Sequence, residues 1–128
     1  MHWSDRYVGL PYIAESGDCA ALAARVANEV LHIDCQLPAA HSVTLREQAK
    51  QIMEYRDSLA VRVDHALDAQ PALFIGRGRT CHIGVVCLID AQLWILHSDQ
   101  GSGFVVRERL QNMTQPHRFQ LEGFYKWL

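Results

Sequence analysis

The chain has little of what builds ready-made sites or segments. It has four cysteines, Cys19, Cys35, Cys81 and Cys87, and no two of them form a CxxC pair. A structural zinc site therefore has no ligand frame here. The even count permits two disulfides, but a chain of 128 residues does not need them to hold a core. There is no excess of basic charge. Lys and Arg number 12 against 14 Asp and Glu, a net charge of −2, which excludes a nucleic-acid binder that relies on a basic face. No apolar run approaches the roughly 20 residues of a membrane span. Met1-His2-Trp3-Ser4-Asp5 carries no basic region followed by an apolar run, so no signal peptide is expected. Neither an internal repeat nor a linker is visible. These absences predict one domain over residues 1–128, made in a cytoplasm and exported, if at all, by something other than a signal peptide.

The composition itself is ordinary for a globular protein, 49% hydrophobic and 20% charged, with seven histidines that would turn the net charge positive in mild acid. Residues 3 to 18 form a loop-rich opening punctuated by Gly9, Pro11 and Gly17. A helix is predicted from Cys19 to about Ile33, with Leu22, Val26 and Val30 four apart. Turn formers including Pro38 follow. Thr44, three before Glu47, has the spacing of a capping box and opens a second helix over about Leu45 to Leu59. The texture then changes to strands: Ala72 to Ile75, Cys81 to Ile89, Leu93 to His97, Phe104 to Val106, and a last one over Leu121 to Trp127. The Gly-x-Gly of Gly76-Arg77-Gly78 is too weak a signal for a phosphate loop. Helices first and an antiparallel meander second is an α+β order.

The chemistry gathers at Gly17-Asp18-Cys19. Asp18 is a good N-cap, which puts Cys19 at the first helical position. There the unpaired N–H groups and the helix dipole favour a thiolate. The alternative is a cysteine that simply packs. His82 opens the strand Cys81 to Ile89 and shares a face with Gly84 and Val86, opposite Cys81, Ile83, Val85 and Cys87. A glycine there leaves room for another backbone, such as a helix crossing the sheet with its N-terminus near His82. If Asp90 and Ala91 form a two-residue turn, paired residues sum to 181, and His97 falls diagonal to His82 on the same face. An odd loop would put the two on opposite faces unless a bulge intervened. Cys19, His82 and His97 then read as nucleophile, base and orienting group, with the Cys19 N–H as oxyanion donor. A metal site of Cys19, Cys81, His82 and His97 is disfavoured, because Cys81 and His82 point to opposite faces. No cofactor is called for. Cys35, Cys81 and Cys87 are expected in the core.

At these residues the chain resembles the NlpC-type cell-wall peptidases, papain-like cysteine peptidases. The likeness runs through Tyr7-Val8-Gly9-Leu10-Pro11-Tyr12, Asp18-Cys19, His82-Ile83-Gly84-Val85-Val86, Leu96-His97-Ser98 and Gly103-Phe104-Val105-Val106. It implies a papain-like α+β fold with N-terminal helices packed on an antiparallel sheet. It also implies catalysis by Cys19, His82 and His97, with Tyr12 and Asp18 at the substrate or oxyanion. The substrate implied is a stem or cross-bridge peptide of bacterial peptidoglycan, cut between D-glutamate and diaminopimelate. The chain departs from the family pattern in lacking a Gly-Gly before Cys19, in following it with Ala20-Ala21, and in a His82-to-His97 gap three residues longer. Its ending and its Ala72-to-Ile75 strand are most similar to versions carried by phages and prophages. That implies a bacterial cytoplasmic origin, other tail proteins as partners, and action from a virion tail on the host envelope. A structural tail-tip protein, docking through Phe124, Tyr125 and Trp127, is the non-enzymatic alternative. An amidase or acyltransferase with the same residues is the other.

Overall fold

The computed structural model describes residues 1–13, 19–34, 59–76, 81–99, 101–116 and 118–128, with Cys81 given by its backbone alone. Its frame is a six-stranded sheet in the order β1-β6-β2-β3-β4-β5, antiparallel at every junction. The strands are β1 (Ala60–Val63), β2 (Pro71–Ile75), β3 (Cys81–Ile89), β4 (Gln92–Asp99), β5 (Phe104–Arg109) and β6 (Gln120–Trp127). A 3-10 turn, Trp3–Arg6, precedes one long helix, α1 (Cys19–Leu31), and a single helical turn, α2 (Leu110–Met113), follows β5. Among the described residues no helix is long and apolar enough to cross a membrane.

This corrects the expected fold class. The α+β papain-like arrangement, with N-terminal helices packed on a sheet, gives way to a sheet-dominated fold in which α1 is the one substantial helix among the described residues. The physical reason lies in the second half of the chain. Its β-branched and aromatic residues extend further into strand than their turn signals suggest, and Ala60–Val63 adds an edge strand, β1. The helix expected over about Leu45 to Leu59, its Thr44 cap, Asp18 and Cys35 lie outside the described residues, save for Leu59 itself.

The helix is narrow on its buried side. Ala20, Ala23 and Ala27 are buried beside Leu22 and Val26, so its backbone can lie close to β3 and β4. It leaves through His32 in the left-handed region, φ 57°, with the Ile33 N–H closing on the Ala27 carbonyl at 2.9 Å, two residues before the expected end. With α1, the core of this face contains Tyr7, Leu73, Ile83, Val85, Cys87, Leu96, Val105, Tyr125 and Trp127. The opposite face has its own core of Ala72, Phe74, Val86, Ile95 and Met113, covered by Leu110, Phe119 and Leu121.

The free edge of β5 is covered by the opening segment. The Gly9 N–H donates to the Val105 carbonyl at 2.8 Å, the Val105 N–H to Leu10 at 2.7 Å and the Tyr12 N–H to Gly103 at 2.8 Å. Satisfying an edge this way removes a template for unwanted strand pairing. Arg107 pins the same segment, donating to Ser4 Oγ at 2.7 Å and Asp5 Oδ1 at 2.6 Å. The aromatic ending is not an exposed docking patch. Tyr125 is 5% and Trp127 6% exposed, and Phe124 packs against the second core. Alternation along β6 buries these rings on both faces of an interior strand.

Candidate functional site

β3 and β4 are joined by the two residues Asp90 and Ala91, both left-handed at φ 51° and 62°, the backbone of a type I′ hairpin turn. The ladder runs Ile89↔Gln92 to Val85↔Leu96, so partners sum to 181 as the even loop requires. Side chains at 82, 84 and 97 therefore share a face. His82 Nε2 and His97 Nδ1 lie 2.9 Å apart in a hydrogen bond, with the rings edge to face at 86°.

The pair continues into β5. There Ile95 faces Glu108 and His97 faces Val106, which sets Glu108 diagonal to His97 on the same face. His97 Nε2 donates to Glu108 Oε2 at 2.7 Å. Arg118 holds both carboxylate oxygens, at 2.7 Å to Oε1 and 3.1 Å to Oε2, and is itself fixed by the Asn112 carbonyl at 2.9 Å. Phe119, the next residue, stacks on His82 with ring centroids 4.9 Å apart and planes 20° from parallel. Its N–H donates to the Met113 carbonyl at 3.0 Å, which anchors the loop over the imidazoles.

The electrostatics follow from burial. His97 is fully buried. Burial pushes its pKa down, although Glu108 and Asp99 favour its charged form. Burial, and then the neighbouring His97, lower His82 to about 3, with Glu108 opposing. Burial would raise Glu108, but the hydrogen bonds from Arg118 and His97 outweigh it and hold the carboxyl below its ordinary range. At neutral pH the array is an ionised carboxylate, two neutral imidazoles and a guanidinium. His82 remains partly exposed, and among the described residues no hydrogen bond reaches its Nδ1. A neutral imidazole with one nitrogen engaged and the other open has the geometry of a general base, but a pKa near 3 makes it a weak one at neutral pH.

The structure brings His82 and His97 together but not Cys19 with them. Cys19 is the first residue of α1 and 7% exposed, packed in the core on the helix face. The imidazoles, Glu108 and Phe119 occupy the other face, because 82, 84 and 97 alternate with the 83, 85 and 96 that α1 covers. Ala21 and Leu22 line a cleft of about 130 Å³ with Leu10, Pro11, Ile13, Arg25 and Val105. Val105 pairs with Ser98, next to His97. Gly84 does not make room for the helix. A Cβ there would stand 2.5 Å from Ile95 Cγ2 and 3.3 Å from Phe74 Cε2, so the space belongs to β4 and β2 side chains.

Tyr12 is half-buried on the segment paired with β5. Asp18 lies outside the described residues, as does the side chain of Cys81. Cys87 is buried, and burial pushes its thiol up to about 12. Among the described residues no group of three or more His, Cys, Asp and Glu side chains has metal-binding geometry.

Sequence reasoning missed Glu108, Arg118 and Phe119. A signal existed for Glu108: it alternates with Val106 on a strand that was ended at Val106, three residues short of Arg109. Nothing local marks Arg118 or Phe119, which reach the site through the fold of the loop after α2.

No family profile, curated protein or solved structure matches this chain.

Proposed function

We propose that this chain hydrolyses amide bonds in bacterial peptidoglycan, with His82 as general base. The observation that carries the reading is the bonded pair His82–His97, oriented so that the engaged nitrogen of His82 is Nε2 and the open one is Nδ1. The substrate comes from the motif resemblance: the D-glutamyl–diaminopimelate bond of stem peptides. The same resemblance supplies Cys19 as nucleophile and the tail of a phage or prophage as the setting, with tail proteins as partners.

In the thiol route that the motif resemblance implies, Cys19 would have to move from the helix face of the sheet to the His82 face; His82 Nδ1 would then take the thiol proton as sulfur attacks the scissile carbonyl carbon. The C–N bond breaks as His82 returns the proton to the departing amine. Water then adds to the thioester, giving its proton to His82, and the acid leaves as the thiol is restored. The helix-start position of Cys19 supports the thiolate. Its place on the far face favours a second reading, in which His82 draws the proton from water directly and no acyl-enzyme forms.

Purified sacculi, with released peptides identified by mass, test both. Loss of hydrolysis in Cys19→Ala and in His82→Ala supports the thiol route. Loss in His82→Ala alone supports water as nucleophile. Full hydrolysis by a folded His82→Ala chain overturns the proposal.

A further inference from the structure

We infer that Glu108 is the positioning residue that sets the direction of the whole imidazole chain, and through it puts the lone pair of His82 on the open nitrogen. The inference deepens the reading just given and rests on His82 being its base.

The argument is one of donors and acceptors. An ionised carboxylate only accepts hydrogen bonds. Both oxygens of Glu108 already receive guanidinium N–H groups from Arg118, which keeps the group ionised. Glu108 Oε2, 2.7 Å from His97 Nε2, therefore requires the proton of His97 on Nε2. A neutral imidazole has one N–H, so His97 Nδ1 is left as an acceptor. Its partner at 2.9 Å, His82 Nε2, must then be the donor. That leaves His82 Nδ1 without a proton. One carboxylate, two rings away, decides which nitrogen of His82 can act as a base. Phe119, stacked on the His82 ring, keeps the plane from turning.

Glu108→Gln offers a clean inversion. With its oxygen in the Oε1 position the amide keeps the shorter Arg118 bond, 2.7 Å in the wild type, gives up the 3.1 Å bond made to Oε2, and turns its NH2 toward His97. His97 Nε2 must now accept, its proton moves to Nδ1, and it donates to His82 Nε2. The proton of His82 then lies on Nδ1, where it blocks the base. A wrong tautomer in the catalytic His of a serine protease costs about 10⁴ in turnover. One ring further from the base, kcat is expected to fall about 100-fold or more, with KM unchanged.

The experiment is 15N NMR of histidine-labelled protein at pH 7, which distinguishes protonated from bare ring nitrogens, together with kcat and KM on muropeptides. The expected result is wild type with Nε2–H on both rings, and Glu108→Gln with Nδ1–H on both. Wild-type His82 carrying its proton on Nδ1 overturns the inference without any variant. So does a folded Glu108→Gln chain in which the amide NH2 faces His97 and the His82 tautomer is nonetheless unchanged. Hydrolysis by wild type with equal kcat in Glu108→Gln sinks this inference alone. Wild type with the assigned tautomers but no hydrolysis sinks the functional reading and leaves the role of Glu108 standing.

Discussion

Leu96 stands directly opposite Val85, and this pairing delivers His97 to His82. The two histidines are neighbours because the hairpin between their strands closes with an even number of residues. A slip of one residue would turn His97 toward α1 and leave His82 facing Phe119 alone. The site thus depends on Asp90 and Ala91, at the far end of the hairpin.

Ala91 holds φ 62° without being glycine. Left-handed backbone costs an L-residue about 1–2 kcal/mol, partly offset by the extra entropy that glycine loses on folding. Ala91→Gly is expected to stabilise the chain by about 0.5–1 kcal/mol, measured by urea unfolding. Destabilisation would mean that the turn is not type I′ in solution.

Gly84→Ala should be costly, because the new methyl would meet Ile95 Cγ2 at 2.5 Å. That atom is a β-branch close to its own backbone and cannot swing away. The expected loss is about 1–3 kcal/mol, the usual range for overpacking. A variant of wild-type stability would show that the space above Gly84 is open after all.

Stability should fall as the solution is acidified from neutrality. His82 ionises at about 3 in the folded chain against an ordinary 6.5, and His97 is shifted the same way. Below about pH 6.5 the unfolded chain binds protons that the folded one does not, so stability rises with pH in this window. Each histidine adds a slope of up to about 1.4 kcal/mol per pH unit. The lowered carboxyl of Glu108 adds stability that is present above its ordinary pKa and lost as pH falls through its folded value. Urea midpoints at pH 7, 6, 5 and 4 should show a shallower fall in His82→Gln. Equal slopes would remove His82 from the account.

Cys87 should resist iodoacetamide in the native chain up to about pH 10, because it is buried and its thiol ionises near 12. Cys19, 7% exposed, is the informative comparison. Mass spectrometry of chains alkylated at pH 6 separates the two nucleophile readings. Modification of Cys19 there indicates an activated thiolate, and an inert Cys19 favours water.

The hairpin was legible in advance because its information is local. Period-two alternation, a two-residue turn and the separation of His82 from His97 together determine one face and one register. The first residue of α1 was legible for the same reason, since a cap and a periodic apolar stripe are neighbours in sequence. Glu108 was within reach, had β5 been carried to Arg109.

What the residue pattern could not decide is which face the helix takes. Alternation says that 82 and 83 point apart. It does not say which of the two sides α1 covers, because both carry apolar residues fit for burial. That choice rests on packing between distant segments: small alanines of α1 against Ile83, Val85 and Leu96 on one side, and Met113 with Phe119 on the other. By itself the sequence determined five of the six strands in outline, the turn and the meeting of His82 with His97. Only the tertiary structure decided that Cys19 lies across the sheet from them and that Glu108 and Arg118 complete their array, because such contacts depend on which surfaces pack and not on spacing along the chain.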